Sequence, residues 1–207
     1  MSKPHHLKNR LIARLRGFGR GHVFNRADFR DMGSRSALDQ VLSRLTRQGV
    51  IRRLAPGLYH YPRINPRLGG ILNPLPDAVA RAVARKTDSR VVSSGALAAN
   101  ALGLSTQVPA QLIYLTDGPP RKIRIGAQTL HFRYAAPRTM AVSGRTSAIV
   151  FQALRYLGQE GVTDSVVRKL SRTLSGKDKK TLGRDITHAV GWMRPILRRI
   201  VEDTGDT

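Results

Sequence analysis

The chain has 207 residues, enough for one or two domains, and carries 36 Lys+Arg against 13 Asp+Glu, a formal net charge of +23. A surplus of that size makes a polyanion the expected partner. The absence of cysteine excludes disulfides, thiolate metal sites and cysteine nucleophiles, and aromatics at 5% are too sparse for a stacking platform on single strands.

Residues 3–17 read as a first helix, with Leu7, Leu11, Ile12 and Leu15 recurring at helical spacing. Gly17-Phe18-Gly19-Arg20-Gly21 breaks it, and Arg20 is a candidate contact to a DNA backbone. Val23-Phe24 read as a short strand, and Asn25 as the N-cap of a second helix through Met32. Gly33 makes a turn, and Ser34 caps a third helix over 35–48 that Gly49 stops. Leu38, Val41, Leu42 and Leu45 form its apolar stripe, leaving Arg35, Ser36, Asp39, Gln40, Ser43, Arg44 and Arg47 for solvent or DNA. Residues 50–55 and 58–62 flank Pro56-Gly57. Proline presets φ at the first central turn position and glycine supplies the positive φ of the next, so this stretch reads as a hairpin.

Residues 63–76 hold Pro66, Gly69, Gly70, Asn73, Pro74 and Pro76 and read as a linker. Helices are predicted over 77–87 and 93–102, then a strand over 111–116 and a hairpin of 122–125 with 129–134 about Gly126-Ala127. Helices return at about 145–158, 163–174, 178–190 and 193–202. The predicted fold class is α+β: a winged helix-turn-helix over 1–66, then a mixed domain over 67–207 with a small antiparallel sheet and a C-terminal helical part. Residues 1–66 hold 14 Lys+Arg and 3 Asp+Glu, and residues 67–207 hold 22 and 10, so the two parts carry +11 and +12.

Most of the basic residues are arginines, whose planar fork suits phosphate and guanine edges. In a winged helix the start of the recognition helix reaches deepest into the groove. Arg35, Arg44, Gln40 and Ser36 are therefore assigned to base edges, and Ser34 with Ser36 to phosphate. Arg52 and Arg53 on the wing are assigned to phosphate or the minor groove. The bland alternative for each is a solvated helix face. A nuclease needs clustered carboxylates to hold a metal. Asp178-Lys179-Lys180 sits where aspartate suits a helix start and Asp117 lies in a turn, so neither founds such a site. None of the six histidines pairs at metal-ligand spacing. No catalytic residue, metal or cofactor is expected. The opening residues lack the apolar core of a signal peptide and no apolar run spans a bilayer, so a cytoplasmic protein with no membrane partner is expected.

Three segments together resemble the AbiEi-type antitoxins of type IV toxin–antitoxin systems. They are SRSALDQVLSRLTRQGVIRRLAPGLYHYP (34–62), VVSSGALAANALGLSTQVP (91–109) and QLIYLTDGPPRKIRIGAQTLHFRYA (111–135). In order, the resemblance covers residues 10–135. It implies a winged-helix autorepressor that binds inverted repeats in double-stranded DNA upstream of its own operon, and a C-terminal domain that opposes a nucleotidyltransferase-like toxin with or without touching it. It implies that Ser34, Arg35 and Arg44 lie in the recognition helix and Arg52, Arg53 and Tyr59 in the wing. Arg121, Lys122 and Arg124 would form a basic strip serving antitoxicity or a second nucleic-acid contact. A monomer or weak dimer pairing on DNA is expected. The alternatives are a winged-helix regulator without a toxin partner and a general RNA or ribosome binder.

Overall fold

The computed structural model describes residues 3–68, 70–107, 109–142 and 144–203. The protein is α+β, with small antiparallel sheets among helices. It divides into two compact units, Met1–Val91 with Arg121–Leu130, and Val92–Pro120 with His131–Thr207. Among the described residues no helix is long and apolar enough to cross a membrane.

In the first unit, α1 (Lys3–Phe18) buries Leu7, Leu11 and Leu15, one residue per turn, and stops where Gly19 takes φ +83. β1 (Val23–Asn25) leads into the predicted helix, which runs over Arg26–Met32 and is 3-10 in form. Asn25 is its N-cap, as read, and a capping box forms there: the side chain accepts from the Ala27 N–H at 2.7 Å, and Asp28 accepts from the Asn25 N–H at 2.9 Å. Phe29 leaves helical geometry (φ −131, ψ 18), and its fully buried ring meets Phe24 edge-on at 5.4 Å. Packing of that ring accompanies the departure from regular α-helix.

α2 (Arg35–Arg47) follows, capped by the Ser34 hydroxyl, which accepts from the Ala37 N–H at 3.3 Å. Leu38, Val41, Leu42 and Leu45 are all buried, as the apolar spacing requires. β2 (Arg52–Ala55) and β3 (Leu58–His60) flank the turn, where Gly57 has φ +67. β1 pairs antiparallel with the other side of β3, giving the order β1-β3-β2 with Val23 and Arg52 both opposite His60.

The segment predicted as a linker contains a second hairpin. β4 (Arg63–Asn65) pairs antiparallel with β5 (Gly70–Leu72) around a 3-10 turn at Pro66–Leu68. The prolines fall between and after the strands, where no ladder donor is lost. Ile64 and Ile71 face each other across it, 56% and 47% exposed. α3 (Pro76–Thr87) starts with proline in its first turn, buries Val79, Ala80, Ala82 and Val83, and packs on β1. Arg85 donates to Asp28 at 2.9 Å and to the Val23 carbonyl at 3.0 Å. Residues 67–91, which the sequence places after the expected domain boundary, thus pack with the N-terminal elements.

β6 (Val91–Ser93), β7 (Leu112–Thr116), β8 (Arg121–Ile125) and β9 (Gln128–Tyr134) form a sheet in the order β6-β7-β9-β8, with Gly126 at φ +59 in the β8–β9 turn. In the second unit, α4 (Ala96–Ala101) is shorter than the predicted 93–102 helix. Ser93 belongs to β6, and Gly95 (φ +54) turns the chain before α4. After α5 (Pro137–Met140) come α6 (Arg145–Gly161), α7 (Asp164–Thr173), α8 (Gly176–Asp185) and α9 (Met193–Glu202). The predicted 178–190 helix ends early at Asp185, whose buried carboxylate accepts from the Gly144 N–H at 3.1 Å; Ile186–His188 continue as 3-10. Val150, Leu154, Leu170, Leu182, Leu197 and Ile200 belong to this unit's core, where α4 packs on α6 and α9 on α7 and α8.

Candidate nucleic-acid interface

The surface of α2 is decided by its buried side. Against the stripe of Leu38, Val41, Leu42 and Leu45, the residues at positions 36, 40, 43, 44 and 47 fall on the opposite side, at i, i+4, i+7, i+8 and i+11. All five, Ser36, Gln40, Ser43, Arg44 and Arg47, are exposed. The structure thus brings together Ser36, Gln40 and Arg44 of the residues selected from sequence. It adds Ser43 and Arg47, which helical spacing alone had left for solvent or DNA. These side chains supply bidentate donors and donor–acceptor groups, the equipment for reading base edges or gripping phosphate.

Arg35 lies off that face, on the flank of the helix. It stands 4.0 Å from Asp39, whose carboxylate also holds Arg26 at 2.9 Å. Ser34 spends its acceptor on the helix cap, with its oxygen 3.2 Å from the Ser36 hydroxyl. Arg20 fastens the end of the first sheet: it donates to the Pro62 carbonyl at 3.0 Å and its guanidinium lies over the Tyr61 ring at 5.0 Å. A bidentate pair of Arg14 with Asp31, at 2.7 and 2.6 Å, joins α1 to the 3-10 segment. The guanidinium holds the Asp31 carboxyl below its usual range.

On the hairpin, Arg52 lies opposite His60 and is half-buried, while Arg53 lies opposite Tyr59 and is exposed. His60 is fully buried, and both ring nitrogens are without a hydrogen-bond partner among the described residues. Burial first, then the Arg52 charge, pushes its pKa down to about 4, so the ring is neutral near pH 7. From position 40 to position 76 the chain has no acidic residue and six arginines, Arg44, Arg47, Arg52, Arg53, Arg63 and Arg67.

The basic strip read on β8 divides in two. Ile123 and Ile125 are buried, so by strand alternation Arg121 shares their side while Lys122 and Arg124 are exposed on the other. Arg121 is half-buried, and β8 packs against β2. Lys86, near the end of α3, donates from Nζ to the Pro56 carbonyl in the β2–β3 turn. Burial and the charges of Arg121 and Arg53 lower its pKa. Lys86 was missed because its partner is 30 residues away in sequence, beyond any local pattern.

Asp178 receives the Ser175 hydroxyl at 2.5 Å at the start of α8, and that hydrogen bond lowers its pKa. Among the described residues no three His, Asp or Glu side chains gather as metal ligands.

The sequence profile of the family described as "Family of unknown function (DUF6088)" matches residues 10–182. No curated protein and no solved structure matches the chain.

Proposed function

For this chain, which belongs to the DUF6088 family, we propose that the first unit is a winged helix-turn-helix that binds double-stranded DNA sequence-specifically and represses its own operon. The observation that carries this reading is the exposed α2 face of Ser36, Gln40, Ser43, Arg44 and Arg47. In the reading, α2 is the recognition helix in the major groove and β2–β3 is the wing against flanking phosphates. Arg47 extends the contact along the groove. The acid-free run from 40 to 76 supports it, since a polyanion approaches that stretch without local repulsion.

The resemblance to AbiEi-type antitoxins supplies the second half of the proposal. The operon also encodes a nucleotidyltransferase-like toxin, and this cytoplasmic, non-enzymatic protein opposes it. Two copies meet on inverted repeats.

The test has two parts. Selection from random duplexes, followed by titration at 0.15 M salt, is expected to return a palindromic site bound about 10³-fold or more above random duplex. Induction of the neighbouring gene with and without this protein, scored as surviving colonies, tests antitoxicity. A harmless neighbour, or toxicity that the protein does not relieve, leaves a winged-helix regulator without a toxin partner. Equal binding to RNA and to every duplex removes sequence-specific repression.

A further inference from the structure

We infer that the wing turn carries a phosphate site assembled from Arg53 of β2, Lys86 of α3 and Arg121 of β8, and that its ligand is a backbone phosphate of the duplex read by α2. The inference rests on the DNA-binding proposal and assigns a contact that the winged hairpin alone does not possess.

The geometry begins at Gly57. A Cβ built on this residue would lie 3.3 Å from Lys86 Cε and 3.4 Å from Nζ, so the lysine side chain lies flat over the turn. Its ammonium donates to the Pro56 carbonyl. That bond uses one of three N–H donors and leaves two for a ligand. Arg53 extends from the exposed side of β2, two residues before Ala55. Arg121 opens β8, the strand packed against β2. β2 and β8 thus pack together beside the turn that Lys86 covers, and the charges of Arg53 and Arg121 act on its ammonium.

Such convergence has a cost. Burial first, and then the repulsive charges of Arg121 and Arg53, disfavour the Lys86 ammonium. An anion seated among the three relieves that repulsion, and charge-assisted hydrogen bonds to it are stronger than neutral ones. The Lys86 ammonium acts as a point charge fixed by the Pro56 carbonyl. Arg53 brings a planar fork suited to phosphate oxygens. Because the site sits on the wing turn, a phosphodiester held there would fix the wing on the duplex independently of base sequence. The functional consequence is a coupling of α3 and β8 to DNA through the wing, which extends the contact surface beyond residues 1–66.

The experiment uses the full chain and measures duplex affinity against salt for the selected site and for a scrambled duplex. Lys86→Met is expected to weaken both duplexes about tenfold at 0.15 M salt and to flatten the log K against log [salt] slope by about 0.9. Lys86→Arg is expected to restore the slope. Arg53→Gln is expected to reproduce the Lys86→Met effect, and it carries the test if Lys86→Met melts below the assay temperature. If both neutral variants keep the wild-type slope while Arg44→Ala still relaxes preference at one base pair, the phosphate site is wrong and DNA reading stands. If the wild type binds no duplex, both fall together. A parallel melt in inorganic phosphate against chloride at equal ionic strength separates the ligand sources. Stabilisation by free phosphate that Lys86→Met abolishes, with an unchanged duplex slope, overturns the duplex assignment.

Discussion

Replacing His60 by leucine tests the account of the first unit's core. The imidazole is fully buried in β3, between Val23 of β1 and Arg52 of β2, with neither nitrogen partnered among the described residues. Its pKa falls from the usual 6.5 to about 4. As pH drops, the unfolded chain takes up a proton near 6.5 while the folded chain resists until about 4. The stability associated with a neutral His60 is therefore complete above about pH 6.5, declines between 6.5 and 4, and is absent below. At about 1.4 kcal/mol per pH unit, the gap amounts to about 3 kcal/mol. Leucine has no proton to gain, and at pH 7 it also removes two buried unpartnered nitrogens, an expected gain of about 1–3 kcal/mol. Urea unfolding of wild type and His60→Leu at half-unit intervals from pH 7.5 to 4 measures the difference. Carboxylate titrations occur in both proteins and cancel. The stability gap is expected to widen by about 3 kcal/mol across the acid range. Two parallel curves, or an NMR titration of His60 near 6.5 in the folded protein, would refute the reasoning.

Three further outcomes follow from the packing and the exposed face. Arg44→Ala and Gln40→Ala are each expected to cost about 1–3 kcal/mol of operator binding and relax preference at one base pair, measured against a panel of single-base operator variants. Ser34→Ala removes the cap of α2 and is expected to lower unfolding free energy by about 0.5–2 kcal/mol in denaturant melts. Leu197→Ala empties a fully buried position where α9 meets the second core and is expected to cost about 2–5 kcal/mol; a change under 1 kcal/mol would contradict that packing.

Much of the first unit was legible because its signals are local. Asn25 as an N-cap, Ser34 before Arg35, the stripe from Leu38 to Leu45 and the Pro56-Gly57 turn all act within a few residues, through hydrogen bonds and φ preferences that need no distant partner. The exposed face of α2 follows from the same spacing, because a helix that buries one side presents the other. Local pattern failed where pairing or packing competed with it. Residues 63–76 read as a linker from their prolines and glycines, yet two proline-free triplets within them found each other as strands. Phe29 left α-helical geometry where its ring entered the core.

Sequence by itself determined the charge, the α+β class, the caps and turns, and the candidate reading face. Tertiary structure alone decided that β1 closes the sheet beside β3 and that α3 belongs with the first unit. It also decided that His60 is sealed from solvent, and that Arg121 shares the buried side of β8 with Ile123 while Lys122 and Arg124 are exposed on the other. Each of these depends on contacts between segments distant along the chain, such as Lys86 with Pro56 at 30 residues and Arg85 with Asp28 at 57. The entropy lost in closing such loops is recovered only by burial and pairing distributed over the whole fold, which no local window of sequence contains.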